Sequence, residues 1–173
     1  MFWANLKRRI TALAVQVALA SKPGISNTAK SSYYRSGAML MYTIIEGVVY
    51  QLVKKYTNPN NIILTKVEHT QLLTIPKTVF NTAQEVYICL KTPVEVHIDD
   101  KGVDFGKLNL YLKNKNIISL REYRILEAIR KQRNKIHVQS LASKDVGYTL
   151  AKLESASKCL DFLLIKILRS DKK

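Results

Sequence analysis

Residues 33–56 read YYRSGAMLMYTIIEGVVYQLVKKY, a stretch that predicts one long helix. Its apolar side chains recur at helical spacing, at Met39, Tyr42, Val49 and Val53. Glu46 lies on the same stripe. The preceding residues 21–32 are rich in Pro, Gly, Ser and Asn, which is typical of a loop, and they end in a serine pair able to cap a helix. The sequence NPNN at 58–61 is a turn signal, so we expect the helix to stop there.

Three other stretches also predict helices. Near the N-terminus the apolar residues have spacings of four, three and four: Leu6, Ile10, Leu13 and Val17. We interpret this stretch as the first helix of the fold rather than as a secretory signal peptide, because a helix that packs on a core requires that spacing. Ser119 is positioned to cap a helix over 120–138, with Glu122 in its first turn, where the helix dipole favours an acid. The last helix begins near 145–148, ends in the polar tail 170–173 and has a core-facing stripe at Leu150, Leu153, Ala156, Leu160, Leu163, Leu164 and Ile167.

The middle of the chain predicts smaller elements. We expect one or two short helices over 62–91, broken near Pro76 because proline disfavours helix at the residue before it. Residues 94–98 alternate with period two, residues 99–102 are turn formers, and residues 103–105 alternate again. This pattern predicts a small β-hairpin insert at about 94–106.

Together these elements predict an all-α fold. We expect an antiparallel bundle of four to five helices with a small β-hairpin insert, formed by residues 1–173 as a single domain. The length of 173 residues and the hydrophobic content of 47% are those of an ordinary globular domain. No stretch reaches the roughly 20 uninterrupted apolar residues of a membrane span, so we expect no membrane partner and a cytoplasmic protein.

The charge indicates a polyanionic partner. Lys and Arg number 28 against 13 Asp and Glu, a formal net charge of +15. Residues 1–45 contain six basic residues and no acidic one, and residues 107–135 contain nine basic residues against two acidic. A fold that brings these two blocks together would build one electropositive face.

Several kinds of chemistry have no signature in the chain. Cys89 and Cys159 are far apart and form no CxxC, which argues against a zinc site and a disulfide scaffold. His97 with the consecutive acids Asp99 and Asp100 has some metal-ligand character, but such acids are far more often turn residues. No GxxxxGK[ST], GxGxxG, HExxH or GxSxG occurs. We therefore expect neither a metal nor a cofactor.

The predicted helix over 120–138 ends in a polar and basic cluster. At about 100° per residue, Arg130, Asn134 and His137 fall on one side with Tyr123 and Glu127, and Arg133 lies at the border of that group. The isoleucines of this helix point the opposite way: Ile125, Ile129 and Ile136. Cations close to an imidazole disfavour its protonated form and leave a neutral base at pH 7. This arrangement suits phosphodiester chemistry, although His137 could also simply cap its helix.

In these segments the sequence resembles the HEPN superfamily of small helical ribonucleases from toxin–antitoxin, abortive-infection and CRISPR-linked systems. The resemblance depends on the Arg-Asn-Lys-Ile-His segment at 133–137, on the entry Ile-Ile-Ser-Leu at 117–120, and on the helix 35–53 with the single acid Glu46 in its stripe. The family motif is Arg, four to six residues, then His. Six residues separate Arg130 from His137, which fits the motif. Arg133 and Asn134 form the dipeptide that the family favours, but only three residues separate Arg133 from His137.

The resemblance implies a metal-independent endoribonuclease, toxin-like or linked to phage defence, that attacks through the ribose 2′-hydroxyl at a dimer cleft. It implies that His137 is the general acid/base, that Arg133 or Arg130 stabilises the charged phosphorane, and that Asn134 orients the phosphate or the imidazole. Glu46 would orient an arginine of the cluster. Substrate RNA would lie along the basic face of the helix, against three further side chains: Arg124, Lys131 and Lys135.

An alternative of a different class remains open. The chain would then be a catalytically inactive HEPN module that binds RNA or a partner protein, which the short spacing from Arg133 to His137 favours. Because two half-sites must meet, we expect a homodimer with the helices over 120–138 at its interface. A partner protein such as an antitoxin or another component of a defence system is compatible with either hypothesis.

Overall fold

The computed structural model describes residues 2–57, 60–75, 86–139 and 148–170. Five helices and two strands lie in these ranges: α1 (Phe2–Ala20), α2 (Asn27–Thr57), β1 (Ile62–Ile75), β2 (Val86–His97), α3 (Phe105–Asn114), α4 (Leu120–Gln139) and α5 (Leu150–Ser170). The chain divides into two compact units, a helical unit formed by Met1–Tyr56 with Asp104–Lys173, and a hairpin unit formed by Thr57–Val103.

The prediction of an all-α fold is wrong. Residues expected to form short helices instead form β1 and the first half of β2, which pair as a two-stranded antiparallel sheet. The register aligns Leu64 with Val96 and Ile75 with Val86, and it shifts at two irregularities. Many side chains of the sheet are exposed on both faces, including Val67 at 55% and Leu90 at 52%. A ribbon with neither face consistently buried has no reason to alternate apolar and polar residues. The hydrophobic pattern of the sequence therefore did not reveal these strands.

The predicted position of the hairpin is also wrong. Residues 94–97 are indeed extended, but they are the end of β2, whose partner β1 precedes it in the chain. Residues after the turn at 99–102 do not return as a strand, because Asp104 caps a helix there. Its Oδ1 accepts a hydrogen bond from the Lys107 backbone N–H at 2.9 Å, and α3 begins at Phe105. The sequence-based scheme did not include α3. The predicted break at Pro76 lies outside the described residues.

Helix α2 is the buried centre of the helical unit. It contains six side chains that are at most 2% exposed in consecutive pairs: Ile44, Ile45, Val48, Val49, Leu52 and Val53. Because these buried pairs recur every four residues, other elements must cover much of the helix circumference. Contacts on several sides agree with this, since the space beside Gly37 is filled by Leu13 of α1 and Leu153 of α5. Helix α2 therefore supports side chains that face three neighbouring helices.

The start of α2 differs from the sequence-based expectation. The helix begins at Asn27, and the hydroxyl of Ser26 accepts a hydrogen bond from the Ala29 N–H at 3.2 Å. The serine pair expected to cap it lies inside the helix. Ser31 has a different role, because its Oγ accepts a hydrogen bond from the backbone N–H of Tyr148 at 3.2 Å.

The predicted helices at the two ends of the chain are confirmed as α1 and α5. In α1, Leu6 is buried and Leu13 is half-buried, whereas Ile10 is exposed. Helix α5 begins at Leu150, and the expected start at 145–147 and the last residues of the tail, 171–173, lie outside the described part of the chain. Its buried stripe consists of Leu153, Ala156, Cys159, Leu160, Leu163 and Ile167.

Helix α4 begins at the predicted cap. The Glu122 N–H donates to Ser119 Oγ at 3.2 Å, and Glu122 accepts from the Ser119 N–H at 2.6 Å, so the two residues form a capping box. Lys166 of α5 lies 3.2 Å from the Glu122 carboxylate and donates to the Ile117 carbonyl at 3.0 Å. This contact ties the start of α4 to α5.

Among the described helices, α2 alone is long and apolar enough by length and composition to cross a membrane. In its most apolar window, 56% of the residues are buried inside the protein. A core helix passes the same test, so this property is weak evidence for a membrane span.

Candidate functional site

Glu46 and Arg133 join the centre of α2 to the end of α4. Arg133 Nη2 lies 3.0 Å from Glu46 Oε2, with side-chain exposures of 31% and 29%. The two residues come from the segments that carry the family resemblance. A guanidinium has five N–H donors in a rigid plane, so a carboxylate that holds one edge sets the direction of the others. The ion pair therefore orients Arg133 at a partly solvated position.

Arg130 belongs to a different network. Its Nε and Nη2 both lie 2.9 Å from Glu127 Oε2, and Glu127 Oε1 accepts a hydrogen bond at 3.0 Å from Asn109 Nδ2 of α3. Burial alone would raise the pKa of Glu127, but the hydrogen bonds from Arg130 and Asn109 outweigh it and hold this pKa below its usual value. The hydrogen bond to Glu127 raises the pKa of Arg130. The two arginines of the predicted cluster are thus held by separate carboxylates.

Asn109 is the buried end of the Arg130 network. Its side chain is 0% exposed, and its Oδ1 is a buried polar atom without a hydrogen-bond partner among the described residues. Gly106 lies beside the network, where an added Cβ would meet Arg130 Cδ and Nε at 3.4 Å. The first turn of α3 therefore packs directly against the Arg130 side chain.

The remaining predicted polar residues of α4 face solvent. Asn134 and the three predicted RNA-binding residues are all exposed: Arg124, Lys131 and Lys135. Within the described part of the chain, none of these four side chains has a hydrogen bond or an ion pair. They are available to an external ligand.

The backbone of His137 lies in the last turn of α4. Its side chain is outside the described part of the structure, and so is the prediction of an imidazole beside two guanidiniums. The preceding residue is described: Ile136 is buried, and its carbonyl oxygen accepts a hydrogen bond from Arg35 Nη2 of α2 at 3.4 Å. This contact brings one cation of the basic N-terminal block to the end of the basic helix.

A tyrosine that sequence reasoning assigned only to the apolar stripe has a polar role here. Tyr42 is 1% exposed, and its hydroxyl donates to Gln132 Oε1 of α4 at 2.7 Å. Burial, with a smaller contribution from Tyr148, raises the pKa of Tyr42 to about 12. A buried tyrosine hydroxyl requires a partner, and this requirement was the available signal. Together with Arg35 and Glu46, Tyr42 forms a row of polar contacts from α2 to α4.

Asp100 and His97, two of the residues with metal-ligand character, have structural partners within the hairpin unit. Asp100 Oδ2 accepts a hydrogen bond from the His97 backbone N–H at 2.7 Å, and His97 Nδ1 lies 3.1 Å from the Asn60 carbonyl oxygen. The described residues contain no group of three or more His, Cys, Asp or Glu arranged to hold a metal ion.

No family model, curated protein or solved structure matches the chain. The functional interpretation therefore depends on the residues and their geometry.

Proposed function

We propose that the protein is a metal-independent endoribonuclease of HEPN type, toxin-like or linked to phage defence, and cytoplasmic. The observation that carries this proposal is the ion pair between Glu46 and Arg133. It unites the single acid of the α2 stripe with the arginine of the Arg-Asn-Lys-Ile-His segment. A surface helix end would not need an oriented arginine, whereas a site that stabilises a charged phosphorane does.

The reaction divides among three side chains. His137 takes the proton of a ribose 2′-hydroxyl, whose oxygen attacks the adjacent phosphorus. The bond from phosphorus to the 5′-oxygen of the next nucleotide breaks, and that oxygen receives a proton. Arg133 stabilises the negative charge on the phosphorane, and Asn134 orients the phosphate. The products are a 2′,3′-cyclic phosphate and a free 5′-hydroxyl.

Two copies of the chain complete the site. One imidazole per protomer supplies one acid or base at a time, so a second motif across a dimer cleft provides the complementary group. We place the α4 helices at this homodimer interface, since a two-fold axis brings identical surfaces together. A partner protein such as an antitoxin would act by covering the same cleft.

Cleavage is tested with end-labelled RNA in the presence of EDTA. Wild-type protein is expected to yield fragments that end in a cyclic phosphate, and His137→Ala is expected to yield none while it retains the fold and RNA affinity. Lys158→Ala, an exposed substitution in α5, is the matched control and should cleave like wild type. Undiminished cleavage by purified His137→Ala contradicts the assignment.

The second candidate is a catalytically inactive module that binds RNA or a partner protein. The observation that favours it is the engagement of Arg130 by Glu127. The arginine that pairs with the acid of the α2 stripe is then Arg133, and only three residues separate it from His137, fewer than the four to six of the family motif. In the same assay, intact but retarded RNA supports this candidate, and cyclic-phosphate fragments contradict it.

A further inference from the structure

The solvent face of α4 carries four basic residues with a gap at their centre. Arg121 and Arg124 lie near the start of the helix, Lys131 and Lys135 lie near its end, and all four are exposed. At 3.6 residues per turn, these positions fall within roughly a quarter of the helix circumference. Ala128, also exposed, lies between the two pairs on the same face. We call these five residues the α4 stripe.

The charge of the α4 stripe is only slightly offset within the described part of the chain. None of its basic side chains has an ion pair or hydrogen bond there. The two acids of α4 contact other partners, since Glu122 contacts Lys166 and Glu127 contacts Arg130, and the charge of Lys131 acts on Glu127 without a direct contact. The stripe is therefore a row of four solvated cations on a rigid support.

The α4 stripe offers two separated pairs of cations to two rows of phosphates. With a rise of 1.5 Å per residue, the members of the two pairs lie about 4.5 Å and 6 Å apart along the helix, and the two pair centres are about 16 Å apart. An A-form RNA duplex presents two phosphate strands on either side of a wide, shallow minor groove. The long, flexible side chains of Arg and Lys allow each pair to reach one strand. Ala128 keeps the centre of the α4 stripe, which would face the groove, small and uncharged.

We propose that the α4 stripe binds a duplex segment of nucleic acid, an RNA stem, with one basic pair on each phosphate strand. This inference deepens the proposed function and rests on it for the choice of RNA over DNA. Recognition is by backbone charge and shape, as expected for double-stranded RNA, whose bases are poorly accessible.

The composition of the α4 stripe argues against a single strand as its ligand. Proteins that bind single strands stack bases on exposed aromatic rings within a groove. The stripe contains no aromatic residue. The nearest one in the helix, Tyr123, is half-buried and has Lys113 Nζ 5.5 Å from its ring centroid. A single helix with cations at both ends also lacks the concave track that a flexible strand follows.

The test measures binding by fluorescence anisotropy in the His137→Ala background, so that cleavage does not interfere. The probes are an RNA duplex of about 16 base pairs, the DNA duplex of the same sequence and the single RNA strand. We expect the RNA duplex to bind at least about tenfold more tightly than the single strand, since only the duplex engages both pairs. Equal or tighter binding of the single strand overturns the proposal. Tighter binding of DNA overturns the choice of RNA.

Charge-removal variants locate the surface. Arg124→Gln with Lys131→Gln takes one cation from each pair, and the slope of log affinity against log salt should fall by about two units. The matched control, Lys158→Gln with Arg169→Gln, removes the same charge from exposed positions of α5 and should change the slope much less. Equal losses in the two variants would mean a diffuse charge effect and would overturn the proposal.

A second pair of variants probes the gap. Ala128→Glu places a carboxylate between the basic pairs and should weaken duplex binding without destabilising the helix, since its neighbours one turn away, Arg124 and Lys131, are cationic. Ala151→Glu, at an exposed position of α5, is the control and should bind nearly as wild type. Duplex binding without RNA cleavage would overturn the nuclease proposal alone, and cleavage without duplex preference would overturn the α4 stripe alone.

Discussion

Glu46 and Arg133 form an ion pair of 3.0 Å between α2 and α4. The carboxylate stands on α2, which contains more buried residues than any other described helix, and the guanidinium stands on α4, the described helix with the most basic residues. The pair is about two-thirds buried on both sides, so it is partly screened by solvent. It positions α4 against the core and orients the arginine of the proposed site.

A double-mutant cycle should measure this pair. We expect a coupling energy of about 0.5–1 kcal/mol between Glu46→Gln and Arg133→Gln, because a partly solvated ion pair is worth little more than an exposed one. Urea unfolding followed by circular dichroism provides the free energies. A coupling indistinguishable from zero would show that the contact does not hold the two helices. At the level of function, Glu46→Gln should slow RNA cleavage while the protein stays folded.

Replacement of Asn109 by Asp should destabilise the protein by about 3–5 kcal/mol at neutral pH. The new carboxylate would lie in a fully buried position against that of Glu127, where the native amide donates a hydrogen bond. Unfolding measurements at decreasing pH should recover part of the loss as the new acid is protonated. Asn5→Asp, in the exposed first turn of α1, serves as control and should change stability by less than about 0.5 kcal/mol. Similar losses in both variants would contradict the buried network.

Acid should destabilise the protein through Glu122. Burial alone would raise the pKa of Glu122, but hydrogen bonds with Ser119 and Lys166 outweigh it and lower this pKa. A depressed pKa contributes stability above the unfolded value, near 4.3 for Glu, and the contribution is lost as pH falls through the folded value. Urea unfolding between about pH 7 and pH 3 should therefore show a shallower decline for Glu122→Gln than for wild type. Glu154→Gln, at an exposed position of α5, should leave the wild-type decline unchanged.

The two cysteines should react with thiol reagents at very different rates. Cys89 is exposed on β2, whereas Cys159 is buried in α5, where burial and then the charge of Glu122 raise the pKa of its thiol to about 12. Since the thiolate is the nucleophile, Ellman's reagent should label one thiol quickly and the second only after denaturation. Cys89→Ser should remove the fast phase. A fast phase that survives this substitution would contradict the buried position of Cys159.

Loss of the Tyr42 hydroxyl should cost about 0.5–1.5 kcal/mol, because Tyr42→Phe removes the hydrogen bond to Gln132. Thermal or urea unfolding measures the change, and Tyr56→Phe, at a position 46% exposed, is the control. The pKa of about 12 also predicts that the Tyr42 phenol stays protonated at pH values where exposed tyrosines ionise. Spectrophotometric titration should show one ionisation fewer at high pH in Tyr42→Phe.

The predictions made from the sequence succeeded for the long helices. Helical spacing identified α1, α2, α4 and α5, and a single cap residue, Ser119, located the start of α4. Prediction failed at residues 62–75 and 86–91, which form strands rather than short helices, and at residues 103–105, where a helix begins instead of a second strand. There the strands are exposed on both faces, so no face imposes a period, and the hydrogen bond from Lys107 to Asp104 starts a helix where alternation suggested a strand.

The sequence by itself determined the four long helices with a buried stripe, α1, α2, α4 and α5, because a helix against a core must repeat its apolar residues every three or four positions. It also determined that α4 is strongly basic. Only the tertiary structure decided that Glu46 holds Arg133 while Glu127 and Asn109 hold Arg130. Such contacts depend on the packing and relative rotation of separate helices, which no spacing within one helix specifies.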